Sequence, residues 1–579
     1  MRAEHKLRTA EPIERFKDNR TLGFAHQIAQ NGVNDDGKRT ALAYSPEEDA
    51  AMGEFKKIGH ELKQLAETKG MKITVEEDTF GNCYVTLKGQ ESNDFSKKQF
   101  DKEILLGSHV DSLKEDSKYD GTLGVGMGLE TLRRFIDKGI VPKYSLKVAA
   151  FRAQKSAITK RAFLGSALAT GKVWSEGLKE LPYMAPTFTG GDGGSLFDVV
   201  SKKRGITENQ FKDAVANPFL KDRQFRAAIE VHIDNGSTLE DREVPCAIVS
   251  AIGGSRRGEI DVNNVIVDNS ELASSEYRTM RMVIKGKPQH SGATPMTGEL
   301  INGNKYKRSD ALVSLSKFLN DYEGNRVVDF GVRDGAYNMV PGEAFVDLRV
   351  PKDGREAKDV VEMMRQFLEE GMVLDVSYPE EKESEHGKVN FIREEVVRAV
   401  TNIVLLYEKT ASSLAVGDAG ESQGYFRATV GGLEIDKKAR KIRMLTDERV
   451  LSDILARRFV DQIHFAIRKT RNDLEKALEQ TDVSLEVMPF REGRIIQMEQ
   501  SALKGLAEHV FVDMANDGDA RLEEMWSMPG YDVGVPEARD KLLLLVRAND
   551  GSVDENDVNL TADLLFHTLV RYFEQPEFS

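Results

Sequence analysis

Two apolar runs in this chain each end in a polar, chemistry-bearing turn that leads into a helix, and that order restricts the fold more than any other feature. Ile104-Leu105-Leu106 reads as a buried strand ending at Gly107-Ser108-His109-Val110-Asp111. Beyond Tyr119-Asp120, the segment Gly121–Gly128 opens a helix that runs through Phe135. A second strand, Leu146 to Phe151, precedes the turn Arg152-Ala153-Gln154-Lys155 and a helix near Leu164–Thr170. Strand, loop and helix in alternation predict an α/β fold with a doubly wound core. Chemistry in such sheets gathers at the carboxyl ends of the strands, where His109 and Gln154 both fall. Upstream, Ser45 and Pro46 have the character of a helix start, and the helix is expected over 46–70. Strands at Lys72–Val75 and Cys83–Leu87 follow, joined by a turn at Phe80-Gly81-Asn82.

At 579 residues the chain exceeds what one core supports. From about Thr279 the pattern changes. Strand Met280–Ile284, helix Asp310–Tyr322, strands Val327–Val332 and Glu343–Val350, helix Arg355–Glu370 and strand Val373–Tyr378 describe a compact α+β module. Residues 386–488 repeat that order, with a helix at Arg393–Tyr407, strands at Phe426–Glu434 and Lys441–Leu445, a helix at Ser452–Leu478 and a strand at Val483–Val487. Phe345-Val346-Asp347-Leu348-Arg349 and Met444-Leu445-Thr446-Asp447-Glu448-Arg449 stand at equivalent places in the two copies. The expected organisation is an α/β domain in two pieces, 1–275 and 490–579, with α+β modules at 276–380 and 381–489 between them. The glycine-rich stretches 189–194 and 253–255 lack the strand-to-helix context of a phosphate loop and read as flexible loops. The acidic run 379–385 reads as a solvated linker.

Hydrophobic residues make up 40% and charged residues 30%, with a formal net charge of −14 and both signs interspersed. That balance argues against a nucleic-acid partner. No run approaches the roughly 18–20 apolar residues needed to span a bilayer, so no membrane association is expected. Two cysteines, Cys83 and Cys246, exclude a disulfide framework, and with a charged Met1–Arg20 they point to the cytoplasm.

Imidazole and carboxylate groups held at strand ends are what a borderline cation selects. His109 can ligate, and Asp111 can orient its other ring nitrogen. Asp120 begins a helix and has the chemistry of a bridging ligand. His232, in Glu230-Val231-His232-Ile233-Asp234-Asn235-Gly236, ends another strand before a glycine turn.

Taken together, these segments resemble the amidase/hydantoinase/carbamoylase family of binuclear-metal amidohydrolases, which includes N-carbamoyl-L-amino acid hydrolases, allantoate amidohydrolases and β-ureidopropionases. The resemblance is carried by Arg39–Glu47, Asp78-Thr79-Phe80-Gly81-Asn82, Gly107–Ser112, Tyr119–Val125, Phe163-Leu164-Gly165-Ser166, Glu230–Gly236, His290-Ser291-Gly292-Ala293-Thr294-Pro295-Met296 and Asn338-Met339-Val340-Pro341-Gly342. The segments run in family order across nearly the whole chain except the 381–489 insertion. The resemblance implies a catalytic domain with an inserted lid, the module 276–380, and makes 381–489 a second lid-like module. It also implies one metal on His109, Asp120 and His232. The second metal would require a glutamate at 155 and a histidine at 531, where this chain has Lys155 and Tyr531. The family's general base is a glutamate matching position 154, where Gln154 stands. His290 would polarise the scissile carbonyl, and Asn338 and Arg349 would hold the substrate carboxylate, Arg349 through a bidentate fork. Asn235 replaces a glutamine that commonly contacts substrate.

An amide cannot accept a proton, and losing a general base costs roughly 10²–10⁴-fold in rate. The expectation is therefore a family member that keeps the fold and one divalent metal (zinc or manganese, not two) and binds a small ureido or amino-acid ligand, but is catalytically impaired: a pseudoenzyme. Lys155 either replaces the charge of the second metal or points at solvent. One alternative is an active hydrolase using a single metal, with Asp111 as the nearest recruited base. Another is a ligand-binding or scaffold protein acting through its extra module. The resemblance implies either a homodimer formed through the lid or a monomer in which 381–489 mimics a partner's lid.

Overall fold

The computed structural model describes residues 16–574 except 17, 94–102, 156–162, 172–195, 221–223, 237, 264, 269–273, 275, 293, 302–303, 325, 334, 336–338, 380–388, 417–425, 451–452, 478–482, 487–495, 499–500, 515–521, 528–530, 535 and 550–551. The chain divides into two compact units, residues 1–252 with 496–579 and residues 253–495.

The first unit is built on a nine-stranded mixed sheet. Glu103–His109 lies at its centre, parallel to Ser145–Phe151 on one side and to Gln224–Ile233 on the other, and Gln224–Ile233 is in turn parallel to Glu537–Val546. Ile73–Glu77 and Cys83–Leu87 extend the sheet antiparallel beyond Ser145–Phe151, as the turn at 80–82 implies. Both faces are covered. Ile104 and Leu106 enter one core with Leu542 and Leu544, whereas Leu105 and Leu543 enter clusters on the opposite face. A strand buried on both sides must be apolar at successive positions, which is why these runs show no alternation.

Helix Pro46–Thr68 starts as expected, with the Ser45 hydroxyl accepting the Glu48 N–H at 3.2 Å and proline in the first turn. Helix Thr122–Asp137 owes its glycines to close approach. A Cβ on Gly124 would lie 2.1 Å from the Val231 carbonyl oxygen, so the helix presses directly on the strand that carries His232. Gly121 precedes it at φ 75°, where a side chain would meet the His109 ring at 2.5 Å.

The second unit contains two β-α-β-β-α-β modules. One uses strands Tyr277–Lys285, Val327–Val332, Glu343–Pro351 and Val373–Ser377 with helices Ala311–Asp321 and Arg355–Arg365, close to the expected bounds. Its strands run second, third, first, fourth across the sheet, all antiparallel. The other uses Gly254–Asn263, helix Glu394–Val416, strands Phe426–Asp436 and Lys441–Val450, helix Asp453–Ala477 and strand Val483–Glu486. Its sheet has the same order and the same antiparallel sense.

Its opening strand differs from the sequence reading. Gly253-Gly254-Ser255 does not make a loop: Gly254 begins a strand that pairs with Lys441–Val450 over ten residues. For that reason the first unit ends at 252 rather than 275, and the extra module begins well before 381. The inner module (277–377) is thus inserted between the first strand and first helix of the outer one. In each third strand an Asp-x-Arg-Val sequence falls at the same register, Arg349 opposite Thr279 and Arg449 opposite Ser255.

Among the described residues no helix is long and apolar enough to cross a membrane. Replacing Gly124 by alanine forces a methyl group into the Val231 carbonyl; it is expected to destabilise the first unit by about 1–3 kcal/mol, read as a lowered unfolding midpoint in urea.

Candidate active site

Strand ends in the first unit bring together His109, Asp120 and His232, whose ligating atoms all lie within 4.8 Å of one another and are all buried. His109 stands at the carboxyl end of its strand, and His232 occupies the neighbouring strand Gln224–Ile233. Asp120 lies just ahead of the glycine-started helix.

The ring orientations are fixed from behind. His109 Nδ1 is 3.0 Å from the Asp111 carbonyl oxygen and His232 Nδ1 is 3.0 Å from the Ile233 carbonyl. A proton on each Nδ1 leaves both Nε2 atoms as acceptors. Those two atoms face each other across 3.4 Å, and His232 Nε2 is 3.2 Å from Asp120 Oδ1. Two lone pairs at that separation require a proton or a cation between them. Burial pushes His232 down to about 4, so a proton is poorly held on that ring. His109 sits above its usual value: burial opposes its charged form, and the Asp111 carboxylate 3.5 Å from Nδ1 outweighs it. Asp120 Oδ1 is buried and without a hydrogen-bond donor among the described residues. Two imidazole nitrogens and an orphaned carboxylate oxygen are a donor set that fits one divalent cation.

The other oxygen of Asp120 meets a cationic side chain. Lys155 Nζ forms an ion pair with Asp120 Oδ2, and both side chains are buried. Burial alone would lower the Lys155 pKa, but Asp120 and Asp116 hold it above its ordinary value. Asp120 is likewise held below the usual carboxylate range, because Lys155, His232 and His109 outweigh its burial. The ammonium is therefore charged and inward, not solvent-directed. Tyr531 packs edge-on against His232 with ring centroids 5.1 Å apart.

Asp111 is not a spare base. Its two carboxylate oxygens accept the backbone N–H groups of Gln154 at 2.9 Å and Lys155 at 2.8 Å. The 152–155 turn, with Ala153 at φ 53°, is held from the other side as well. Glu48 accepts from Arg152 Nη1 at 2.6 Å and from the Tyr44 and Ala153 N–H groups at 2.7 and 3.2 Å. Asn82 accepts the Arg152 N–H at 3.0 Å and is itself fixed by Asp78. Carbonyls of 152–154 accept N–H groups of Phe163, Leu164 and Gly165. The segments Asp78–Asn82 and Phe163–Ser166 are thus scaffolding for the turn bearing Gln154 and Lys155.

Sequence reasoning missed a second buried carboxyl pair. Glu230, two positions before His232 on the same strand face, accepts Ser108 Oγ at 2.5 Å and the Val533 N–H at 2.8 Å. Burial beside Asp532 pushes Glu230 up to about 8. Asp532 accepts Ser166 Oγ at 2.6 Å and thereby anchors the segment that carries Tyr531. The alternation that places residues 230 and 232 on one face was the available signal.

The remaining expected site residues are dispersed. Asn235 is half-buried in the turn after the His232 strand. Asn338 lies outside the described residues. His290 and Arg349 belong to the second unit. There His290 Nδ1 accepts the Gly292 N–H at 3.1 Å, and Arg349 reaches Thr279 Oγ1, Ser274 O and Tyr277 O at 3.2–3.4 Å.

No family model matches the chain. An N-carbamoyl-L-amino-acid amidohydrolase of Paenarthrobacter aurescens is 26% identical over 326 residues, which is 54% of this chain and 65% of that protein. Allantoate amidohydrolase of Bacillus subtilis is 25% identical over 239 residues, 41% of this chain and 51% of that one. A hydantoinase/carbamoylase family amidase of Burkholderia vietnamiensis superposes with a TM-score of 0.54 at 16% identity, covering 98% of this chain and 100% of that one. The chain is thus similar in sequence to N-carbamoyl-L-amino-acid and allantoate amidohydrolases and shares the fold of a hydantoinase/carbamoylase family amidase. The matched stretch spans less than two thirds of either curated relative. The structure of AtUAH in complex with (S)-hydroxyglycine shares the fold, with a TM-score of 0.54 at 15% identity over 96% of this chain and 99% of that one.

Asp111→Ala removes the acceptor of two buried backbone N–H groups together with the support of His109. It is expected to cost about 3 kcal/mol or more of stability, measured as a shift in the chemical unfolding midpoint.

Proposed function

We propose that this protein binds one divalent cation, zinc or manganese, on His109, Asp120 and His232, and a small ureido or amino-acid ligand, with hydrolysis impaired or lost. The observation that carries this reading is the buried Lys155–Asp120 ion pair, which sets an ammonium where a second cation would need a carboxylate.

A cation bound there would polarise a carbonyl or acidify a water molecule. Hydrolysis further needs a group that takes the proton of the attacking water. Gln154 offers an amide, which cannot take it. Asp111 is engaged by two N–H donors and serves to orient His109 and the turn. Lys155, held charged by its acidic neighbours, is a donor and not a base. Asn235, Asn338, His290 and Arg349 remain the ligand-contacting residues that the family resemblance suggests. Complexes of related structures with (S)-hydroxyglycine and glyoxylate support a small polar ligand.

We further propose that the inner module of the second unit corresponds to the family's lid, that the outer module takes the place of a second copy of it, and that the chain acts as a monomer. What supports this is the contact between equivalent elements: helix Ala311–Asp321 packs on helix Glu394–Val416, and strand Val327–Val332 lies beside Phe426–Asp436. The two unpaired, buried cysteines are compatible with the cytoplasm as its compartment.

After zinc loading, one metal per chain is expected by elemental analysis, and His232→Ala should bring it close to zero. Gln154→Glu with Lys155→Glu and Tyr531→His should raise the count to two and bring hydrolysis of N-carbamoyl amino acids above the wild-type level. Two metals in the wild-type protein would refute the role given to Lys155. Light scattering should give the mass of one chain; a mass of two would count against the outer module as a substitute for a partner.

A further inference from the structure

The repeated modules are equivalent in topology but not in the use of their matching arginines. In the inner module Asp347 takes both arms of Arg281, at 2.7 and 2.6 Å, and Arg349 spends its terminal nitrogens on Thr279 Oγ1 and the carbonyls of Ser274 and Tyr277. Arg349 also stands far from His290 along the sheet. His290 pairs with Met339, and Arg349 lies six residues beyond Glu343 on the next strand, about 20 Å away at 3.3 Å per residue.

The outer module places its counterpart elsewhere. Ser291, adjacent to His290, donates its hydroxyl to Asp447 Oδ2 at 2.5 Å, and the same oxygen accepts Arg449 Nε at 2.8 Å. Ser291, Asp447 and Arg449 are all buried. Among the described residues Arg449 is held through Nε alone, which fixes the plane of the guanidinium and leaves its two terminal nitrogens for another acceptor. His290 presents a complementary group. Its Nδ1 accepts the Gly292 N–H, so in the neutral ring Nε2 carries the proton and donates.

We propose that Arg449, supplied by the outer module, is the guanidinium that binds the carboxylate of a small acid beside His290, in place of Arg349. The inference rests on the reading above that the ligand is a small ureido or amino acid, and adds which residue recognises its acid group. It gives the nested module a binding role as well as a packing one. A two-pronged N–H to carboxylate contact in a buried setting discriminates strongly against a neutral ligand of the same shape.

The test is calorimetric titration of the full chain with N-carbamoylglycine, N-acetylglycine and N-carbamoylglycinamide, the last lacking the carboxylate. Both acids are expected to bind about tenfold or more tighter than the amide, as charge-assisted hydrogen bonds imply. Arg449→Gln should abolish that preference while leaving amide binding as it is, and Arg449→Lys should keep part of it, because the charge remains and the fork is lost. Equal weakening of acid and amide by Arg449→Gln would mark a structural role and overturn the proposal. So would loss of the preference in Arg349→Gln with Arg449→Gln unaffected, or failure of both acids to bind the wild-type protein. Zinc content measured on the same samples separates the two ideas: one zinc per chain without acid binding leaves the metal centre standing and removes the role of Arg449.

Discussion

The Asp111 carboxylate is the point on which the first unit's centre depends. It sits two residues past His109, supports that ring from behind, and takes the N–H groups of Gln154 and Lys155 from the next strand end. One carboxylate thereby fixes the spacing between a ligating histidine and the turn that points a charge at Asp120. Behind the turn stands a second carboxylate, Glu48, buried with Arg152 and pushed up by burial to about 7. Removing one partner of such a pair leaves an uncompensated charge, which costs about 3–5 kcal/mol. The turn is therefore rigid for reasons independent of the identity of residues 154 and 155, so those two positions can change chemistry without losing their placement.

That separation of scaffold from chemistry lets the side chains at 154 and 155 vary while the cluster of His109, Asp120 and His232 stays well formed. An ammonium at 155 carries one positive charge to Asp120 where a second cation would carry two, and it needs no further ligands. Tyr531 then packs on His232 as an aromatic wall. Gln154, Lys155 and Tyr531 bring no carboxylate to this place, while His109, Asp120 and His232 stay together beside them. Two carboxylate oxygens here are buried without a hydrogen-bond partner among the described residues, Asp120 Oδ1, which faces the two histidines, and Asp532 Oδ2.

Much of this was legible in the sequence, because the decisive signals are local. Apolar runs ending at His109 and Gln154 gave the parallel strands and the site's place at their carboxyl ends, and the glycines after Asp120 marked a helix that must come close. Two things were hidden. Whether Lys155 turned inward or to solvent depended on Glu48 and Asn82, distant in sequence from the turn they hold. The strand Gly254–Asn263 was missed because Ile260 and Val262 are its buried apolar anchors amid charged residues, and its partner strand lies nearly two hundred positions downstream. Alternation that weak is read only once its neighbour is known.

Nesting one module inside another also resolves a liability of open sheets. A four-stranded sheet with helices on one face exposes edge strands that template further pairing. Here the second strand of each module is set beside the second strand of the other. A Cβ on Gly331 would fall 2.6 Å from the Leu433 carbonyl oxygen, and Lys437 pairs with Asp329 at 2.8 Å across the same seam. Arg308 donates to the Ala428 carbonyl at 2.7 Å, and Arg427 pairs with buried Glu299. Like elements meeting like elements is the geometry of a two-fold interface between identical subunits. With both halves on one chain the identity constraint is lifted, so the arginines at equivalent registers can diverge. One has become a strut between backbone carbonyls, and the other stands next to His290 with its terminal nitrogens uncommitted among the described residues.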